Sequence, residues 1–266
     1  MRAFEYHKPA SVKEAVSLLS RSVESLPLAG GMSLLPTMKQ RLSRPAGLID
    51  LSGIEALKGI TASTGVLTVG ATTRHIDVAS SSTVKKAIPA LAQLAGGIGD
   101  PAVRNRGTIG GSLANNDPAA DYPAAVLALG ATVVTDRREI AADQFFRGMF
   151  DTALEPGELI TSVKFPVPAA AGYAKLQNAA SRFALVGVFV AKFSSRVRVA
   201  VTGAGPAVFR LPAFEAALIR RFEPDAVSGH GVDASGLTSD IHAEAAFRAH
   251  LVLVMAKRAI AAALAA

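Results

Sequence analysis

The sequence predicts an α+β fold divided into two or three compact domains that share an interface. Three observations predict it. The chain has 266 residues, half of them apolar, which is enough for more than one buried core. Helix signals and strand signals are interspersed along its length. One stretch, Pro166-Val167-Pro168-Ala169-Ala170-Ala171-Gly172, reads as a linker between an amino-terminal and a carboxy-terminal part.

Ser11-Val12-Lys13-Glu14 reads as a capping box, with Ser11 accepting from an early N–H and Glu14 reaching back to the cap. Ala15, Leu18 and Leu19 give the helix behind it an apolar face. Leu26-Pro27-Leu28 is a short apolar piece that leads into the loop Ala29-Gly30-Gly31-Met32-Ser33. Leu48–Leu51 and the glycine-bounded Gly65–Gly70 read as strands. Residues 84–95 read as one helix, closed by Gly96-Gly97-Ile98-Gly99-Asp100-Pro101. Asp117 is the expected N-cap of the next helix, with Pro118 at its first position, Ala119–Leu129 as its body and Gly130 as its stop. Ala131–Thr135 reads as a strand, as do residues 184–193 and 197–203 on either side of Ser194-Ser195-Arg196. A last helix covers roughly 241–264.

Composition narrows the function. The chain has no cysteine, which removes disulfides, thiolate zinc sites and iron–sulfur ligation from this polypeptide. Redox chemistry, if present, rests on an organic cofactor or on a partner's metal. The lack of cysteine fits the cytoplasm, the inner face of the membrane included. Residues 1–10 lack the hydrophobic stretch of a signal peptide, and the apolar run Leu251–Ala256 is far short of the about 20 residues a bilayer needs. No membrane span is expected. The net charge of +7 is scattered over Arg104/Arg106, Arg137/Arg138 and Arg220/Arg221, and only 6% of residues are aromatic. That pattern argues against nucleic acid and for an acidic partner or plain solubility. The five histidines include no metal-site spacing, although His242 and His250 could share a face of the last helix. No Ser-His-Asp set supports hydrolysis, and no residue of this chain is assigned a catalytic role.

Two segments carry the chemistry. Ala29-Gly30-Gly31-Met32-Ser33 and Thr108-Ile109-Gly110-Gly111-Ser112 each set paired glycines beside hydroxyl side chains. Such a segment lets successive N–H groups converge on an anion, and two of them facing each other suit a pyrophosphate. Each loop alone is equally well an ordinary turn. Neither is a Walker loop, and neither fits the Gly-x-Gly-x-x-Gly pattern. Gly203-Ala204-Gly205-Pro206 lacks a third glycine and loses an N–H at Pro206, so it reads as a turn. Asp117 and Asp121 stand four apart, Asp117 as a cap and Asp121 as a ligand candidate.

The run Ala29-Gly30-Gly31-Met32-Ser33-Leu34-Leu35-Pro36-Thr37-Met38-Lys39 resembles the first flavin loop of the FAD-binding medium subunits of molybdenum hydroxylases, the carbon monoxide dehydrogenase and xanthine dehydrogenase group. Arg104–Asn115, followed by Asp117-Pro118-Ala119-Ala120-Asp121, resembles the second loop. Weaker likeness continues through Phe183–Val188, Asp240–His242 and Phe247-Arg248, so it covers nearly the whole chain. The resemblance implies two α/β subdomains of the PCMH-type FAD-binding fold, residues 1–57 and 58–168, then a smaller α+β domain, residues 169–266. It implies noncovalent FAD, with the pyrophosphate held by Ala29, Gly30, Gly31, Met32 and Ser33 and by Thr108, Ile109, Gly110, Gly111 and Ser112, and with Leu34 also at the cofactor. Asp121 would accept from a hydroxyl of the cofactor, while Ile98, Ile160 and Lys175 would lie near the flavin ring. Molybdopterin and two [2Fe–2S] clusters would sit in a large and a small partner subunit, the whole a dimer of heterotrimers in which this chain passes electrons to an external acceptor.

The sequence also departs from the family's pattern. Asn115-Asn116 stands where many medium subunits carry His-Ala, and Leu176–Arg182 lacks the usual basic cluster. Met32 occupies a position where relatives with covalent flavin present a histidine. A stand-alone FAD-dependent oxidase or reductase of the same fold is the alternative, and a colourless binding protein the other.

Overall fold

The computed structural model describes residues 2–22 and 24–265. Helix makes up 38% and strand 25%, a mixed architecture as expected. Among the described residues, no helix is long and apolar enough to cross a membrane.

Three short strands, β1 (Glu5–His7), β2 (Ser25–Leu28) and β3 (Gly47–Asp50), pair in parallel in the order β1-β3-β2. Parallel pairing demands a crossover, and helix α1 (Val12–Arg21) supplies it between β1 and β2. Ser11 Oγ accepts from Glu14 N, while the Glu14 carboxylate accepts from Ala10 N, one residue ahead of the cap. Ala15 and Leu19 share a core with Ile49, Leu51, Ile54 and Leu57, and Leu18 lies at its margin. Helix α2 (Leu34–Lys39) follows the first glycine loop.

The second sheet begins with β4 (Ile60–Ser63) and β5 (Val66–Gly70) and continues with β6 (Thr132–Thr135) and β7 (Glu139–Ala141). A small hairpin, β8 (Phe146–Gly148) with β9 (Asp151–Thr152), precedes β10 (Ile160–Pro166). The order is β4-β5-β10-β6-β7, antiparallel throughout, so β10 is the central strand. Between β5 and β6 run α3 (His75–Ser80), α4 (Ser82–Ala87), α5 (Pro89–Gly96), α6 (Pro101–Arg106), α7 (Ile109–Asn115) and α8 (Tyr122–Leu129); α9 (Ala142–Phe145) follows β7.

The expected helix over 84–95 is broken. Pro89 starts α5 and forces Ile88 to an extended φ of −144°, so the segment divides into α4 and α5. The helix expected from Asp117 starts instead at Tyr122, with a proline in its first turn. Residues 118–120 bond elsewhere: Pro118 O accepts from Gly203 N and Thr202 Oγ1, and Ala120 O accepts from Thr202 Oγ1 at 2.6 Å. Asp117 still turns the chain by accepting from Ala119 N at 2.9 Å. Gly130 stops α8 as expected, at a left-handed φ of 60°.

The third sheet is β11 (Ala170–Gln177), β12 (Ala184–Lys192), β13 (Val197–Thr202) and β14 (Phe209–Arg210), an antiparallel meander. One face joins the core of the second sheet through Tyr173, Phe189 and Ala200; the other packs Val188, Val190 and Val199 against α10 (Pro212–Arg220) and α11 (Ala245–Ala265). Burial on both faces explains why these strands read as continuous apolar runs. The linker expected at 166–172 shrinks to residues 167–169. Gly172 lies inside β11, where a Cβ would overlap the Ala259 carbonyl of α11. The last helix starts at Ala245, later than expected, because the Asp240 carboxylate accepts from His242 N and Ala243 N and holds a turn there. His242 is therefore off the helix and shares no helical face with His250.

Candidate functional site

The two glycine segments meet across a cleft, but they are built differently. In the first, Gly31 takes a left-handed φ of 71°, which favours glycine. A Cβ at Gly30 would overlap the Arg106 carbonyl, so that glycine permits the close approach of the loop to residues 106–107. Among the described residues, the N–H groups of Gly30, Gly31, Met32 and Ser33 have no acceptor within the chain. They remain free to bind an anion.

The second segment is not a loop. Thr108 is the N-cap of α7, its Oγ1 accepting from Gly111 N at 3.2 Å. Ile109 N donates to Thr73 O, Gly110 N to Ala71 O and Ser112 N to Thr108 O. Its N–H groups are already engaged, so its contribution is shape and hydroxyls. Gly110 is packed hard, since a Cβ there would stand 2.7 Å from Ala71 Cβ. Gly111 faces the cleft: a Cβ there would stand 3.8 Å from Ala29 Cβ of the first loop.

The cleft is about 460 Å3, within the roughly 300–1,000 Å3 usual for small-molecule and cofactor sites. Ala29, Gly30, Gly31, Met32, Ser33, Leu34, Ile98, Thr108, Gly110, Gly111, Ser112, Asp121 and Ile160 all line it. Two of the expected site residues do not. Ile109 is fully buried in the core, and the Lys175 side chain is mostly buried in its ion pair with Asp121. Asp121 is buried, its Oδ1 accepting from Tyr173 Oη at 2.6 Å and paired with Lys175 Nζ at 2.8 Å. Burial pushes its carboxyl above the usual range, and Lys175 and Tyr173 pull against that.

The family described as the FAD binding domain in molybdopterin dehydrogenase matches residues 2–168. The chain belongs to this family. It is similar over nearly its whole length to the carbon monoxide dehydrogenase medium chain of Hydrogenophaga pseudoflava, at 36% identity over 98% of this chain and 96% of that one. The nicotine 6-hydroxylase medium subunit of Paenarthrobacter nicotinovorans is 35% identical over 97% of this chain and 96% of its own. The solved carbon monoxide dehydrogenase of Hydrogenophaga pseudoflava that lacks the Mo-pyranopterin moiety superposes with a TM-score of 0.88 at 37% identity, covering 99% of this chain and 98% of its counterpart. The chain is thus an oxidoreductase component of the FAD-binding type.

The residues present fit FAD. Residues 30–33, whose main-chain N–H groups have no partner in the chain, line the cleft opposite Gly111, where the lack of a side chain leaves room for a pyrophosphate, and apolar side chains such as Ile98, Leu154 and Ile160 line the rest. Several lining residues escaped the sequence reading. His75 is buried against Tyr122, with ring centroids 5.3 Å apart, and burial together with the nearby Arg104 holds its imidazole down at about 4. It is therefore neutral at neutral pH. Glu158 is held at about 2 by Arg138, which donates to it from Nε and Nη2. Phe183 and Ser181 reach the cleft from beyond residue 168. Isolated residues such as His75 and Glu158 carry no motif that would have found them. The departure at Asn116 has a structural account: it ends α7 at a left-handed φ of 43°, and its Nδ2 donates to Gly148 O and Asp151 O, pinning the β8–β9 hairpin.

Proposed function

We propose that this chain is the FAD-carrying electron-transfer subunit of a molybdenum hydroxylase complex. In that complex, a large subunit holds molybdopterin and oxidises the substrate, and a small subunit holds two [2Fe–2S] clusters. Two such heterotrimers form the assembly. The supporting observation is the pairing of a free N–H loop with the Gly111 face across one cleft, in a chain without cysteine. FAD, when bound, exchanges electrons singly or in pairs and so links one-electron clusters to a two-electron acceptor. The chain's own work is binding and positioning. The N–H groups of residues 30–33 hold the pyrophosphate, Ser112 and Thr108 add hydroxyls, and Asp121 accepts from a hydroxyl of the cofactor. Ile98 and Ile160 exclude water from the ring. Residues 1–57 and 58–168 act as the two clasping subdomains and 169–266 as the third domain. The relatives named medium chain or medium subunit support this assignment.

The test is to express the chain with and without its genomic neighbours, purifying through a tag on this chain. The expected result is a yellow protein that oxidises an organic substrate only when it co-purifies with a large and a small subunit. A chain that stays alone in both cases and turns over an organic substrate unaided would establish the stand-alone flavoenzyme instead.

A further inference from the structure

The family match ends at Pro168, yet the cleft has lining residues beyond it, and the group that ties them in is Lys175. We propose that Lys175 is a positioning residue that clasps the walls of the FAD cleft together through main-chain carbonyls. The proposal rests on the FAD reading above.

Lys175 lies on β11, with its side chain 9% exposed. Its ammonium donates to Gly97 O at 2.9 Å and to Arg182 O at 3.0 Å, and it forms an ion pair with Asp121 Oδ1 at 2.8 Å. Each partner belongs to a different wall. Gly97 precedes Ile98, Arg182 stands between Ser181 and Phe183, and Asp121 lines the cleft itself. One ammonium therefore fixes three stretches that are remote from one another in sequence. A hydroxyl or amide could not do the same, because the buried Asp121 carboxylate also needs a positive charge beside it.

The surroundings are shaped for this contact. The turn carrying Ser181 and Phe183 is tight: Asn178 Oδ1 accepts from Ala180 N and Ser181 N, and Asn178 N donates to Phe183 O. Arg182 holds a left-handed φ of 61°, a conformation disfavoured for arginine, while its carbonyl accepts from Lys175. Tyr173, two residues along the same face of β11, donates to the same Asp121 oxygen. Gly187 on β12 leaves room for it, since a Cβ there would stand 2.5 Å from Tyr173 Oη. Lys175 and Tyr173 together dock the third sheet onto the start of α8.

Lys175→Met keeps the length of the stem and removes the donors. Two readouts test the clasp. In the apo-protein, hydrogen exchange at residues 96–99 and 178–183 is expected to rise about tenfold, with α11 unchanged, as loss of such a charge-assisted bond implies. In the FAD-loaded protein, Kd for FAD is expected to rise about tenfold or more, and iodide is expected to quench the bound flavin more readily. The same substitution in an Asp121→Asn background separates clasp from charge. If Lys175 acts through the carbonyls of Gly97 and Arg182, it still weakens FAD there. Loss of that further effect would assign its role to neutralising Asp121 and overturn the clasp, as would unchanged exchange at both segments. A wild-type chain that takes up no FAD would refute the cofactor reading alone, and the exchange measurement would then decide the clasp.

Discussion

Gly110 and Gly111 are neighbours, yet substituting them should have opposite consequences. At Gly111, a Cβ would meet only Thr108 Oγ1, at 2.9 Å, and Ala29 Cβ, at 3.8 Å. The threonine hydroxyl can rotate away at the cost of its cap bond to Gly111 N, about 0.5–2 kcal/mol. Valine in place of glycine inside a helix returns about 0.3 kcal/mol. The net stability change for Gly111→Val is therefore about 1 kcal/mol, or roughly 2–4 °C in Tm for a chain of this size. The γ-methyls, however, fill the slit toward Ala29 in which the pyrophosphate is proposed to lie. A Kd for FAD at least about 100-fold weaker is expected, equivalent to about 2.7 kcal/mol. At Gly110, a Cβ would sit 2.7 Å from Ala71 Cβ and 2.8 Å from Ala71 O, which Gly110 N already uses as its acceptor. Main chain cannot rotate away. Gly110→Ala should cost about 1–3 kcal/mol or more and lower the melting temperature of the apo-protein. Calorimetry of both apo-variants and fluorescence titration with FAD read the two effects separately. Wild-type FAD affinity in Gly111→Val would refute the placement of the pyrophosphate between the loops.

Three further outcomes follow from the same geometry. Asn116→Ala loses two bonds to the β8–β9 hairpin and a residue tolerant of left-handed φ, so urea denaturation should show a loss of about 2–4 kcal/mol; a loss below the low end of that range would remove the hairpin-pinning role. His75 titrates at about 4 in the folded chain against 6.5 for an unperturbed histidine, so its stabilising contribution is complete above pH 6.5 and falls as pH drops through 4. His75→Phe, which cannot protonate, should flatten the stability profile of the apo-protein across that window, and an unchanged slope would refute the neutral, buried assignment. Acid precipitation of the purified holo-protein should release yellow FAD into the supernatant, because Met32 offers no linkage and cysteine is absent; colour retained in the pellet would indicate a covalent bond.

Local chemistry was readable wherever a few adjacent residues decide it. Ser11 and Glu14 announced α1, Gly130 announced the end of α8, and Ser194-Ser195-Arg196 marked the turn between β12 and β13. What could not be read depends on partners far along the chain. Residues 118–120 look like a helix start, and only Thr202 and Gly203, more than 80 residues on, draw them into a different arrangement. The glycine pair at 110–111 reads as a second anion loop, whereas Ala71 O and Thr108 Oγ1 take up its donors. The break within 84–95 is the exception, because its cause, Pro89, is local. Lys175 and Asp121 stood out through resemblance, but their pairing is tertiary and has no local signature.

The position of β10 bears on the order of events during synthesis. It is the central strand of its sheet, yet it is the last of the five to leave the ribosome, inserting between β5 and β6. Until residues 160–166 emerge, the inner edges of β5 and β6 have no partner and the apolar faces of Val69 and Val133 lack Val163 between them. The same strand delivers Ile160 to the cleft wall. Nascent chains shorter than this are thus exposed to edge pairing with one another, and the cofactor has no complete cleft to enter. FAD loading belongs after β10 has docked, so slow decoding or truncation just before residue 160 would produce aggregation rather than a colourless but folded subunit.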